Sequence, residues 1–183
     1  MSNHSCWPSS QSWKRYWPTG IVAVIGVVQT FFSFAAVALH VAIVLIGIVS
    51  LCSNYAAWYV MGFVCWAFFL TSWISVFCVT CCNRSSVRCA THTMIENILA
   101  FIFSAVLIDF DRKLKDGQLI PGSTSCSSSS WYNVQDTSDS DTKLTDVFLS
   151  LTKAQLACGV FILISALVFI GIYIYVYVNQ SSE

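Results

Sequence analysis

The stretch GIVAVIGVVQTFFSFAAVALHVAIVLIGIVSLC, Gly20 to Cys52, contains no Lys, Arg, Asp or Glu. As a helix rising 1.5 Å per residue, its 33 residues extend about 50 Å. A bilayer's hydrocarbon core is about 30 Å thick, and roughly 20 mainly apolar residues cross it. The run is too long for one upright span and too short for two helices and a turn. It is therefore expected to form one long tilted helix that protrudes at one end. Charge is absent again from Ala56 to Cys82 and from Ala154 to Val178, and a third run, Thr93 to Phe110, carries Glu96 near its start.

Composition agrees. Of the 183 residues, 56% are hydrophobic and 10% charged, against about 25% charged in a soluble domain. So few charges cannot wrap so apolar a core, and a soluble core helix rarely runs this far without one. The expected fold class is an all-α membrane protein with four transmembrane helices in an antiparallel bundle. The helices are placed at about 20–52, 56–82, 93–110 and 154–178, within a domain spanning 19–178. A polar tail, 1–18, precedes it, a disordered outer loop, 111–153, interrupts it, and a short tail, 179–183, follows. A formal net charge of zero gives no support to a nucleic-acid partner. The bilayer, further copies of the chain and other membrane proteins are the expected partners.

The connections have distinct characters. The tail ends in WKRYWP, where Trp13 and Trp17 flank Lys14 and Arg15, a composition suited to the headgroup layer. Pro18 suits the first turn of a helix, where its missing N–H costs nothing. The first loop, about Ser53 to Tyr55, is tiny, and the second, about Asn83 to His92, is short. The third is rich in Ser, Asp and Gly, although LTDVFLSL, Leu144 to Leu151, can extend the fourth helix outward. Tyr173, Tyr175 and Tyr177 alternate as in a strand, but a lone strand in lipid leaves its backbone unpaired, so helix is expected and the tyrosines read as an aromatic belt.

The positive charges point two ways. Lys14 and Arg15 precede the first helix and the first loop has no charge, which places the N-terminus inside. The third loop, however, carries Arg112, Lys113, Lys115, Lys143 and Lys153, against Lys14, Arg15, Arg84 and Arg88 on the other side. The first helix usually dominates, so both termini are expected in the cytoplasm of a plasma-membrane or vesicle protein.

Polar residues inside a membrane are the candidates for function. In the first helix, Ser33, Ala36, His40 and Gly47 fall within about 40° of Gln29 around the axis. Such a small-and-polar stripe suits close helix packing and interhelical hydrogen bonds. The alternative is a polar pathway with His40 near mid-bilayer. In the third helix, His92 and Glu96 are i,i+4 neighbours within a turn or two of the loop, and Asn97 is expected to be an interhelical donor. Asp109, Asp111, Arg112, Lys113 and Lys115 read as a solvated helix end. No nucleophile–base pair, phosphate-cradling loop or carboxylate pair stands at useful spacing. The expectation is no enzyme, no catalytic residue, no metal and no cofactor.

Cysteines give two further candidates. CVTCC, Cys78 to Cys82, closes the second helix beside Arg84 and Arg88. Juxtamembrane cysteines next to basic residues on a cytoplasmic face suit S-palmitoylation at Cys78, Cys81 and Cys82. Unmodified thiols and a Cys3His zinc knuckle with Cys89 and His92 are the alternatives. An oxidising outer face allows one disulfide between Cys52 and Cys126, whose geometry the sequence does not supply.

The layout of a minimal first loop, a longer second outer loop and two inner termini resembles the membrane-spanning four-domains family. IGVVQ, Ile25 to Gln29, is similar to that family's Leu-Gly-x-x-Gln, and Trp58 to its aromatic start of the second helix. TSWISV, Thr71 to Val76, resembles its Ser-Gly-Ser-Leu-Ser segment, with Trp73 where a small residue is usual. MIENILAFIFSAVLIDF, Met94 to Phe110, resembles its Met-Asn-containing third helix ending near an Asp. The match covers about residues 20–110. MARVEL proteins share the topology. The resemblance implies a protein that assembles laterally with itself or with receptors and affects signalling or trafficking, with Gln29 and Asn97 as packing residues. Some members are linked to cation flux. The expected function is a non-enzymatic lateral-interaction scaffold or trafficking adaptor; the alternative is an oligomeric cation channel subunit or channel regulator.

Overall fold

The computed structural model describes residues 15–50, 56–82, 86–115 and 139–181, with the side chains of 15–46, 60–81, 86–115 and 146–180. The described residues form four long helices and no strand: α1 Thr19–Ser50, α2 Ala56–Phe77, α3 Val87–Lys115 and α4 Asp139–Ser181, with α2 running on through a π-helical turn, Cys78–Cys82. Each contains a stretch long and apolar enough to cross a membrane: Thr19–Ile46, Val60–Cys81, Val87–Lys115 and Asp146–Gln180. The chain is an all-α, four-helix membrane protein. Helix is the form these segments take because hydrocarbon offers the backbone no partners, and a helix satisfies its own N–H and C=O groups. Large apolar side chains stay on the outside, among them Val24, Phe31, Leu45, Phe161 and Ile164, which suits a lipid-facing surface.

The helices run alternately up and down. Gly26 meets Val76, Gln29 meets Ser72 and His40 meets Gly62, so numbers rise on α1 as they fall on α2. The pairs Ser75–Thr93 and Phe68–Phe103 do the same for α2 and α3, and Thr91–Tyr173 and Leu107–Gly159 for α3 and α4. Trp17–Phe169, Phe32–Phe161 and His40–Gln155 close α4 against α1. Each helix thus packs on its two neighbours and the cross-section is a square, with α1 diagonal to α3 and α2 to α4.

Two apolar layers fill the bundle. Near the end that carries the α2–α3 connection, Val22, Val76, Ala90, Phe169 and Val176 are sealed. Toward the other end, Cys65, Phe69, Ala100, Leu107 and Ile162 form the second layer. Hydroxyls of Thr93 and Thr80 bond the carbonyls of Ser75 (3.2 Å) and Val76 (2.6 Å). These carbonyls stand one turn before the π-helical stretch Cys78–Cys82.

Several boundaries differ from the hydropathy pattern. Helix α3 starts at Val87, not near Thr93, because Ser86 caps it: the Cys89 N–H donates to Ser86 Oγ (3.3 Å) and the Ala90 N–H to the Ser86 carbonyl (3.1 Å). Helix α4 starts at Asp139 and not at Ala154, so residues 139–153 of the expected loop are helical. At 43 residues α4 is about 64 Å long, well beyond the membrane thickness. Trp17, just before α1, packs into the bundle core, edge-on to Phe169 with centroids 6.2 Å apart. Of the tyrosine belt, Tyr175 and Tyr177 are exposed, whereas Tyr173 is buried and its hydroxyl bonds that of Thr91 at 2.8 Å. Cys52, Cys126 and the side chain of Cys82 lie outside the described residues.

Candidate functional site

A polar belt crosses the bundle between its two apolar layers. Its centre is the Gln29 amide of α1, which donates to Asn97 Oδ1 of α3 at 2.7 Å. This bond joins the two diagonally opposite helices, α1 and α3. Asn97 Nδ2 in turn donates to the Thr93 carbonyl (2.9 Å), and Ser72 Oγ of α2 makes a long contact, 3.5 Å, to Gln29 Oε1. Gln29, Ser72, Thr93 and Asn97 are all buried. Three helices are therefore tied by groups that hydrocarbon would otherwise leave unpaired.

The belt continues to the outer surface. Thr71 Oγ1, beside Ser72, lies within hydrogen-bond distance of both Glu96 Oε2 (2.8 Å) and the Phe68 carbonyl (2.9 Å), and Glu96 stands beside Asn97. His92 Nε2 lies 3.9 Å from Glu96 Oε1, one turn nearer the end of α3. Thr71 is midway along the Val60–Cys81 span, so Glu96 is level with the middle of the bundle. The expectation that Glu96 stays close to the loop is corrected. The earlier start of α3 lengthens the helix below it, and Glu96 sits nine residues past Val87, about 14 Å into the helix.

The α1 stripe faces inward throughout its described part: Gln29, Ser33, Ala36 and His40 are buried, while the surroundings of Gly47 are outside the described side chains. His40 is some 11 residues, or about 16 Å, beyond Gln29. Its Nδ1 is 3.3 Å from Gln155 Nε2 of α4, and its ring stands edge-on to Phe63 at 5.1 Å. Gly62 lies against the ring so closely that a Cβ there would overlap it. The glycine is what admits an imidazole between α1 and α2.

Asp111 corrects the picture of a wholly solvated α3 terminus. Asp109 and Lys113 do form an exposed pair at 2.7 Å. Asp111, however, is 4% exposed, and its Oδ2 has no hydrogen-bond partner among the described residues. It continues the inward stripe Ala90, Thr93, Asn97, Ala100, Ser104 and Leu107, whose steps of three and four residues keep one face of α3 against the bundle. The register that sets Leu107 against Gly159 carries Asp111 to the level of Gln155, whose Oε1 also has no partner among the described residues.

At the opposite end, Cys78 and Cys81 are exposed thiols on the π-helical turn. Beside them an outward groove of about 460 Å³ runs along the α1–α2 seam, lined by Val27, Thr30, Phe31, Phe34, Ala35 and Phe77. Ser72, Thr71, Thr93, Gln155 and Gly62 are parts of the site that sequence reasoning did not single out. The three/four spacing on α3 was a signal for Thr93 and Asp111. For Gly62 there was none, since the need for it arises from His40 across the seam.

Comparison with known proteins finds no matching family model, no similar curated protein and no similar solved structure.

Proposed function

We propose that this chain is a non-enzymatic four-pass membrane protein that acts as a lateral-interaction scaffold or trafficking adaptor, with both termini in the cytoplasm. The carrying observation is how the mid-height polar groups divide. Gln29, Ser72, Asn97 and Thr93 are engaged with one another and with backbone inside the bundle. Thr71 and Glu96 present polarity at the outer seam of α2 and α3, where a neighbouring protein can reach it. Mid-height polar groups paired inside the bundle, with one polar edge on an otherwise apolar exterior, suit assembly better than conduction. The resemblance of its layout to the membrane-spanning four-domains family supports the same reading. In this proposal Cys78, Cys81 and Cys82 are acylated on the cytoplasmic side, and the groove beside Phe77 offers the acyl chain an apolar seat.

The test combines two measurements on the purified chain in liposomes. Lateral association is read by energy transfer between labelled proteins, and ion flux by dye-loaded vesicles. The proposal expects association without flux above protein-free vesicles. Flux abolished by His40→Leu, with no association, would overturn it in favour of a channel.

A further inference from the structure

We propose that the Thr71–Glu96 edge is a docking site for a transmembrane helix bearing a Lys or Arg side chain at mid-bilayer. The inference rests on the scaffold reading and names the chemistry of its partner.

Carboxylates within membrane spans almost always face the bundle interior and pair there. Glu96 does not take the interior position. That position belongs to Asn97 and Thr93, one residue on and one turn back, both fully covered by the bundle. Glu96 is displaced by about 100° to the margin of α3, where its side chain keeps 18% of its surface open. Its neighbours on that face are apolar and exposed: Ile95 on α3 and Ile74 on α2. The result is an acid set in a hydrocarbon-facing wall, oriented by the Thr71 hydroxyl at 2.8 Å.

The described part of the chain does not supply a strong cation at this depth. Its sequence has no Lys or Arg from Thr19 to Cys82, or between Arg88 and Arg112. His92, the nearest basic group, is 3.9 Å away and displaced by a turn toward the membrane surface, with 70% of its side chain exposed. The Glu96 side chain still keeps 18% of its surface open on its outward side. A guanidinium or ammonium approaching from that side makes charge-assisted hydrogen bonds with no water to compete. Charge also decides against a second copy of this face, which would bring Glu96 against Glu96.

The experiment uses the full-length chain, labelled with a donor fluorophore, in phosphatidylcholine vesicles. Three acceptor-labelled synthetic helices are titrated, each leucine-rich and of membrane-spanning length, with Lys, Leu or Glu at the central position. The Lys helix is expected to associate at least tenfold more tightly than the Leu helix. Glu96→Gln and Glu96→Ala are expected to reduce that preference to less than twofold, and Thr71→Ala to weaken it part-way. Circular dichroism and the detergent unfolding midpoint identify any variant that has lost its fold, and Glu96→Asp, which keeps the charge, is expected to retain most of the preference. Equal association of the Lys and Leu helices, or a Lys preference that survives Glu96→Gln, overturns the proposal. So does tightest association of the Glu helix, or self-association of labelled copies lost in Glu96→Gln, since either makes the edge an acid–acid contact. Continued association of the chain with other proteins while the Lys helix is ignored sinks this inference alone. Absence of any lateral association sinks the scaffold reading with it.

Discussion

The diagonal bond between Gln29 and Asn97 makes a quantitative claim about what holds the bundle. Replacing Asn97 with Leu removes the acceptor of the 2.7 Å bond and leaves the Gln29 amide donor buried at 1% exposure. Stranding a buried donor costs about 1–3 kcal/mol. Gln29→Met keeps the side-chain length and strands the Asn97 carbonyl instead, at a similar cost. The double variant strands neither group, so its loss is less than the sum of the two. The difference is the coupling energy, expected at about 0.6–1.7 kcal/mol for an interhelical polar pair in a membrane protein, or about 3- to 20-fold in the unfolding constant. Reversible unfolding in mixed micelles of increasing dodecyl sulfate, followed by the fluorescence of the seven tryptophans, measures all four corners of the cycle. Independent sites add within about 0.3–0.5 kcal/mol. A coupling below about 0.3 kcal/mol would refute the idea that this bond ties α1 to α3.

Other perturbations bear on the rest of the site. Gly62→Ala drives a methyl into the His40 ring and is expected to destabilise by about 1–3 kcal/mol; His40→Ala in the same chain should recover most of that in the same unfolding assay. Asp111→Leu removes a buried carboxylate oxygen without a partner among the described residues and is expected to stabilise by about 1–2 kcal/mol; a loss of stability instead would mean that the acid has a partner in the assembled protein. Acyl-resin capture from cells is expected to retain the wild-type chain and to lose the triple Cys78, Cys81, Cys82→Ser variant, whereas equal capture of both sets the acylation proposal aside.

Much of the fold was legible because hydrocarbon imposes a blunt rule. A long charge-free run such as Gly20–Cys52 has few homes other than a membrane-spanning helix; three of the four spans were visible on that ground, and the third, which carries Glu96, on its apolar length. The helix ends were not, because they are set by groups whose hydropathy says little. Ser86 begins α3 by capping it, six residues before the expected end of the loop. Helix α4 continues outward to Asp139 where polarity no longer forbids water. Its buried Phe148, Thr152 and Gln155 recur at spacings of four and three, a helical signal of which LTDVFLSL, Leu144 to Leu151, already showed part in the sequence. In the site, Gln29, Ser33 and His40 shared a face by simple angular arithmetic. Their partners depended on register between helices: that Gln29 meets Asn97 across the diagonal, or that His40 meets Gln155 over Gly62, is fixed by contacts no single helix encodes. Asp111 was hidden by its neighbours, since Asp109, Arg112 and Lys113 mark the same segment as solvated while one face of it turns inward.

The depth of Glu96 in the bilayer tests the account most directly. A nitroxide introduced at Ile95, the exposed neighbour of Glu96 on α3, reports that depth through its collisions with oxygen, which concentrates in the hydrocarbon, and with a water-soluble nickel chelate. The account predicts high oxygen and low nickel accessibility, close to the values of a probe at the bilayer centre, with a label at Lys115 showing the reverse. Nickel accessibility at position 95 comparable to that at 115 would place Glu96 in water and contradict the mid-membrane polar belt.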